Sequence, residues 1–259
     1  MINQVIEIVK EASKLMTSDV TITQKGSHSD FVTSADVNVQ HYLEEHLLKL
    51  LPGSVFLGEE ENKQALEGEF IWVVDPIDGT SNFIRDLGAS AISVGLVKNG
   101  APYMGVIYQP YRDEMYYAER GKGAYMNGKQ IHVSENDFKH SHLCAAASLY
   151  NKDLAQPCFN IIQKVYYQSD DFRRFGSAAV EMAYLAAGRI ELFFEIRLFP
   201  WDVAAGIVLI KEAGGYTEMI YQKGFPLERP VALVGANTKE NFDKMREIVC
   251  NEIKELPQR

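Results

Sequence analysis

The run Phe70-Ile71-Trp72-Val73-Val74 is the strongest apolar β-rich stretch of the chain, and it stops abruptly at Asp75-Pro76-Ile77-Asp78-Gly79-Thr80. Aromatic and β-branched residues in an unbroken run predict a buried strand. Two carboxylates then stand at the mouth of that strand. Pro76 presets a turn there, and Gly79 permits close backbone approach. A shorter run, Val55-Phe56-Leu57-Gly58, ends in the same way at Glu59-Glu60-Glu61. Two strand ends therefore each present acids.

The flanking sequence alternates helical and strand patterns. Ile2, Val5, Ile6, Val9, Ala12, Leu15 and Met16 recur at intervals of three and four, which predicts an amphipathic packing helix. A second helix, carrying Val39, Leu43, Leu47, Leu50 and Leu51, follows Ser34-Ala35-Asp36 and stops before Pro52-Gly53, so Asp36 lies near a helix start. Between Ala91 and Met126 the chain reads as an antiparallel meander. Its strands are 92–97, 103–108 and 115–118, with turns at Asn99-Gly100 and Gly121-Lys122-Gly123. Beyond it come a helix at 177–187, a strand at 190–194, a helix at 203–213 and a last helix at 239–256. No repeat or Pro/Ser-rich linker separates these parts. The expected organisation is one unit over 1–259, with a packed junction near 136–142 dividing a metal-binding α+β part (1–138) from a C-terminal α/β part (139–259).

The charge balance limits what such a chain can bind. It carries 26 Lys and Arg against 35 Asp and Glu, a net charge of -9, which argues against a broad basic surface for nucleic acid. An anionic substrate would need bound metal or local arginine to offset this field. Cys144, Cys158 and Cys250 lack metal-ligand spacing and read as free thiols. No basic apolar leader and no run of about 18 apolar residues is present, so the expected location is cytoplasmic, with no membrane partner.

The acids favour one kind of chemistry. Hard divalent cations such as Mg²⁺ are held by a few carboxylates together with waters and phosphate oxygens, and no His or Cys accompanies this cluster. The backbone amides of Gly79 and Thr80, at the start of a turn or short helix, would face an anion bound by the same metals. Metal-ligated water is acidic enough to attack near neutral pH. An aspartyl nucleophile of the D-x-D-G-T type is the competing mechanism, but Asp75 and Asp78 are separated by two residues, and that signature fails. Taken alone, Glu59-Glu60-Glu61 also reads as a solvated charge run, and Asp202 as a helix N-cap beside a core Trp201.

Four separated blocks together resemble the inositol monophosphatase family. They are Asp30-Phe31-Val32-Thr33-Ser34-Ala35-Asp36, Gly58-Glu59-Glu60, Trp72 through Phe83, and Pro200-Trp201-Asp202-Val203-Ala204-Ala205-Gly206 with Glu212-Ala213-Gly214-Gly215. The resemblance covers almost the whole chain. It implies a layered α-β-α-β-α sandwich of the inositol monophosphatase/fructose-1,6-bisphosphatase type. It also implies a homodimer, two to three Mg²⁺ ions per site, lithium sensitivity, and hydrolysis of a small phosphate monoester.

Carried over by position, the resemblance makes Glu59, Asp75, Asp78 and Asp202 metal ligands through side chains and Ile77 through its carbonyl, with Glu60 a supporting catalytic acid. Thr80 and Asp36 become the pair that orients and deprotonates the attacking water, and Gly79 and Thr80 phosphate contacts. Ser177, Ala178 and Glu195, together with Asp202, fall on positions that meet the alcohol part of the substrate, which favours inositol monophosphate or a related polyol phosphate. Arg173, Arg174 and Arg197 are suited to reading a second phosphate, so fructose 1,6-bisphosphate or a nucleotide such as NADP(H) is the alternative substrate. A non-catalytic binding or regulatory role on the same scaffold is the alternative of another class.

Overall fold

A computed structural model describes residues 1–17, 20–24, 31–60, 66–147 and 152–255. Asp30, Glu61 and Leu256, which belong to the sequence reading, lie outside the described residues. The helices are α1 Ile2–Ala12, α2 Ser34–Leu50, α3 Thr80–Ile84, α4 Ala155–Tyr166, α5 Ala178–Ala186, α6 Pro200–Glu212 and α7 Lys239–Glu252. The strands of the first half are β1 Ile22–Gln24, β2 Phe31–Thr33, β3 Val55–Gly58, β4 Phe70–Asp78, β5 Ala91–Lys98, β6 Ala101–Gln109, β7 Glu114–Glu119, β8 Ala124–Met126 and β9 Lys129–Ile131. Those of the second half are β10 His142–Ala145, β11 Asp171–Arg173, β12 Leu192–Leu198, β13 Tyr216–Ile220 and β14 Val231–Ala236.

β1 and β2 pair as a small antiparallel ribbon. β3 to β9 form a seven-stranded sheet in chain order, antiparallel except for the parallel pair β3–β4. The second sheet has the order β11-β10-β12-β14-β13 and is mixed, with β10 parallel to both neighbours. The sheet therefore changes between Ile131 and His142.

Three layers of helix enclose these two sheets, which is the layered sandwich expected from the sequence. α1 and α2 cover the outer face of the first sheet, where Val5, Val9, Leu43 and Leu47 pack on Trp72, Val74 and Val94. α5 and α6 fill the space between the sheets, with Met182, Leu185, Leu209 and Ile210 meeting Ile107 and Tyr116 on one side and Phe193 and Leu233 on the other. α4 and α7 close the outer face of the second sheet through Ile161, Val165, Met245 and Val249. Burying a Leu or Ile side chain contributes about 1.5–3 kcal/mol, so each layer is anchored by several such groups.

α6 approaches the first sheet unusually closely. A Cβ on Gly105 would lie 2.4 Å from the Ala205 carbonyl oxygen, and one on Gly95 2.6 Å from the Ala204 Cβ. These two strand glycines let the helix backbone settle onto β5 and β6. That seating brings the start of α6 to the end of β4.

Several elements differ from the sequence reading. The strand expected at 190–194 is β12, shifted to Leu192–Leu198, and the helix expected from 203 begins at Pro200. α4, β8 to β11, β13 and β14 carry no motif that singled them out. The meander strands 92–97, 103–108 and 115–118 lie within β5, β6 and β7.

Candidate metal and phosphate site

β4 continues past Val74 to Asp78, through Pro76 rather than turning at it. Asp75 pairs with Ser93 and Asp78 with Ala91, so two residues of β4 lie opposite Ile92 alone. This is a β-bulge, a place where a proline without an N–H is tolerated in a sheet. The Ile77 amide donates to Asp75 Oδ1 at 2.9 Å, an Asx-type local bond that fixes the carboxylate. The bulge thus holds both acids where a regular strand would send them to opposite sides.

Asp202 comes from the other half of the chain. It occupies the third position of α6 and accepts a hydrogen bond from the Phe199 amide at 2.6 Å, in the manner of a capping box. Trp201 is half-buried, stacks on Phe199 with ring centroids 5.1 Å apart, and packs against the core cluster of Leu57, Ile71, Val73 and Val97. The Ser93 hydroxyl donates to the Trp201 carbonyl at 3.3 Å, tying this helix start to the partner strand of Asp75. Carboxylate oxygens of Asp75, Asp78 and Asp202 lie within 4.8 Å of one another.

The electrostatics of this trio are unfavourable as they stand. Burial, then the negative charges of Glu59, Asp78, Asp202 and Asp36, pushes Asp75 well above the usual carboxylate range. Burial, then Asp78 and Glu59, does the same to Asp202. Asp78 rises to about 6 through burial, against the opposing hydrogen bonds from Ser177 and the backbone of 178–179. Among the described residues, no positive side chain is a cause of any of the three shifts. Three mutually repelling oxygen donors, two of them buried, with no cationic side chain among the described residues to pair them, are the donor set a hard divalent cation takes. The residues present fit Mg²⁺ better than zinc.

Gly79 starts α3 in a left-handed conformation, φ 85°. A side chain there would also meet the Ala89 carbonyl at 3.1 Å and the Gly176 carbonyl at 3.2 Å, so glycine is required twice over. Thr80, the first residue of α3, directs its hydroxyl to Asp36 Oδ1 at 3.1 Å and to the Ile77 carbonyl at 3.0 Å. The other Asp36 oxygen accepts from the Thr33 amide at 2.7 Å and the Thr33 hydroxyl at 2.5 Å, which closes a capping box on α2. Asp36 is thereby fixed on one oxygen and presented to Thr80 with the other.

The remaining candidates fall into two groups. Glu59, Asp75, Ile77, Asp78, Gly79, Thr80, Ala178, Arg174, Glu195, Arg197 and Asp202 line one cleft between the sheets. Ser177 caps α5 and donates to Asp78 Oδ2 at 2.5 Å, with the Ala179 amide on the same oxygen at 2.6 Å. Glu60 has its amide on Gln40 Oε1 at 3.0 Å, linking the acidic loop to α2. Arg173 ion-pairs with Asp171 on the edge strand β11 and is not among the cleft-lining residues. Arg197 sits at a second bulge, between Ile196 and Leu198, with φ 64°. Such backbone strain in a non-glycine residue recurs at ligand sites.

Sequence reasoning did not single out Glu181. It lies in the first turn of α5, 1 % exposed, lines the same cleft, and accepts from the Phe175 amide at 2.6 Å and the Gly176 amide at 3.1 Å through Oε1. An acid in an otherwise apolar helix, Ala-Ala-Val-Glu-Met-Ala-Tyr-Leu-Ala, is the signal that could have marked it.

The model of the inositol monophosphatase family matches residues 1–254. The chain belongs to this family. It is 36% identical over 200 residues to the fructose-1,6-bisphosphatase/inositol-1-monophosphatase of Aquifex aeolicus, covering 77% of this chain and 75% of that one. It is 37% identical over 223 residues to the Nus factor SuhB of Escherichia coli K12, covering 83% of each. Among solved structures, the Thermotoga maritima IMPase superposes with a TM-score of 0.86 at 29% identity, covering 98% of both chains. Family membership supports a phosphatase, and the acidic trio supports a metal-dependent one. No helix among the described residues is long and apolar enough to cross a membrane.

Proposed function

We propose that this chain hydrolyses a small phosphate monoester, an inositol monophosphate or related polyol or sugar phosphate, with Mg²⁺ as cofactor and water as nucleophile. The observation that carries the reading is the Thr80–Asp36 hydrogen bond at 3.1 Å, set beside the Asp75, Asp78 and Asp202 carboxylates. Asp75, Asp78, Asp202 and Glu59 would hold the cation, with the Ile77 carbonyl alongside. When bound, the cation supplies Lewis-acid polarisation of phosphoryl oxygens and lowers the pKa of water.

The chain's own groups account for the rest. The Asn82 and Phe83 amides close on the Gly79 carbonyl, which leaves the Thr80 and Ser81 amides at the start of α3 without an acceptor in the helix; Gly79, Thr80 and Ser81 line the cleft, so this turn suits an anionic phosphoryl group. The Thr80 hydroxyl accepts a proton from water as it passes its own to Asp36 Oδ1, the more basic of its two acceptors. Asp36 stays in place during that transfer because Thr33 grips its other oxygen. General-base assistance of this kind contributes typically about 10²–10⁴-fold. Ser177 and the Ala179 amide orient Asp78, and Ala178 and Glu195 lie where the alcohol part would sit. A cytoplasmic homodimer, sensitive to lithium, completes the reading as the family resemblance implies it.

Phosphate release should be measured on inositol monophosphate, fructose 1,6-bisphosphate and NADP, with Mg²⁺ and with EDTA. The expected result is Mg²⁺-dependent release, fastest on the polyol monophosphate. Fastest release from the bisphosphate or NADP would move the substrate to those classes. No release from any, with a macromolecule co-purifying, would favour the binding role that the name of the Escherichia coli relative suggests.

A further inference from the structure

α2 carries two polar side chains, one turn apart on the same side of the helix. Asp36 takes the Thr80 hydroxyl. Gln40, four residues on, reaches the loop after β3, where its Oε1 accepts the Glu60 amide at 3.0 Å. Both residues are 1 % exposed. Burying a glutamine costs more side-chain entropy and more desolvation than burying a leucine. The rest of this buried face is apolar, with Val39, Leu43 and Leu47, so a glutamine among them calls for a reason.

β3 makes room for that side chain. A Cβ on Gly58, the last residue of β3, would stand 2.3 Å from Gln40 Oε1 and 2.5 Å from Gln40 Cδ, with the Phe56 ring next at 2.9 Å. Gly58 is not among the glycines with positive φ, so no turn requires glycine there. The close approach of the Gln40 amide does. Two bonds then fix the backbone on either side of the Glu59 side chain. The Glu59 amide donates to the Val74 carbonyl at 3.2 Å, one residue before Asp75, and the Glu60 amide donates to Gln40. The chain leaving β3 is therefore tied to the strand that carries Asp75 and to the helix that carries Asp36. Glu59 lines the cleft, and after burial its charge is the largest influence raising Asp75. Gln40 itself is not among the cleft-lining residues.

We propose that Gln40 is a positioning residue of the cation site: seated against Gly58, it holds the Glu60 amide and so keeps the Glu59 carboxylate on the cleft beside Asp75. This rests on the metal-dependent reading above and adds to it a residue that touches neither cation nor substrate.

Isothermal titration of Mg²⁺ into the metal-free protein, beside its Tm in EDTA, tests the assignment. Gln40→Met keeps the length of the side chain and removes the acceptor, whereas Gln40→Glu keeps an acceptor oxygen. The Kd for Mg²⁺ should rise about tenfold in Gln40→Met, the low end of the loss for an outer partner of a metal ligand, and stay within about threefold of wild type in Gln40→Glu. A lower Tm with wild-type Mg²⁺ affinity in Gln40→Met would make Gln40 a packing residue and overturn the proposal. Equal losses of affinity in both variants would overturn it too, because the acceptor would then not matter. Should Gln40→Met fail to fold, Gly58→Ala, whose Cβ displaces the Gln40 amide, decides in its place: a rise of about tenfold in Kd supports the proposal and wild-type affinity overturns it. A wild type that binds no Mg²⁺ defeats the cation-site reading itself and takes the proposal with it.

Discussion

The acids at the end of β4 and the acid at the start of α6 reach the same few ångströms of space by opposite routes. Asp75 and Asp78 share one bulged strand end, and their spacing is a local property of Asp75-Pro76-Ile77-Asp78. Asp202 is one carboxylate on a helix's first turn, and its place depends on how α6 lies across β5 and β6 over Gly95 and Gly105. One half of the cluster is written in a hexapeptide. The other exists only in the packed molecule. The site is thereby coupled to the fold, because the charges meet only when both sheets have closed on the central helices.

The largest effect that tests this comparison is on turnover. Asp75→Asn and Asp202→Asn should each lower Mg²⁺-dependent phosphate release by more than the 10–100-fold typical of losing an outer partner of a metal ligand. A full-strength Asp202→Asn enzyme would mean that α6 contributes packing and no chemistry. During such turnover no phospho-enzyme at Asp75 should be trapped by acid quench and mass spectrometry, as the proposed attack by water requires.

A smaller effect sharpens the strand side. Ser177→Ala removes the α5 cap and one of the two bonds that orient Asp78. It should reduce kcat about tenfold, the low end of the loss for an outer partner, and stability by about 0.5–2 kcal/mol, read by urea denaturation. Unchanged kcat with the stability loss alone would make Ser177 a cap and nothing more.

The smallest effect is electrostatic. Folded Asp78 has its pKa raised from 3.8 to about 6, so the folded chain binds that proton more tightly than the unfolded chain does. This contribution favours the metal-free fold at low pH and is lost as pH rises from about 4 through 6, by on the order of 3 kcal/mol. In EDTA, the Tm of wild type relative to Asp78→Asn should therefore fall over that window, and added Mg²⁺ should restore it more at pH 7.5 than at pH 5. A difference that does not vary with pH would contradict the burial of like charges.

What could be read without coordinates follows the same division. The buried strand, the acids at its mouth and the N-terminal helices were legible because apolar period and turn chemistry are local signals. The bulge was not: Pro76 reads as a turn, and only the pairing of Asp75 with Ser93 and Asp78 with Ala91 reveals an extended strand with one extra residue. Helix α6 starts three residues before its apolar pattern does, because Pro200 and Asp202 belong to its first turn. Arg173 and Arg174 are adjacent and chemically alike, yet the first pairs with Asp171 on an edge strand and the second faces the cleft. Glu181 escaped notice for the complementary reason, since its place on the cleft comes from packing that no pattern of residue types displays.

The central claim is that acids from both halves make one cation site. Isothermal titration of Mg²⁺ into the metal-free wild type, Asp75→Asn and Asp202→Asn tests it most directly. The account predicts saturable binding in the wild type, weakened at least about tenfold in both variants. Wild-type affinity in Asp202→Asn, with binding lost only in Asp75→Asn, would contradict it.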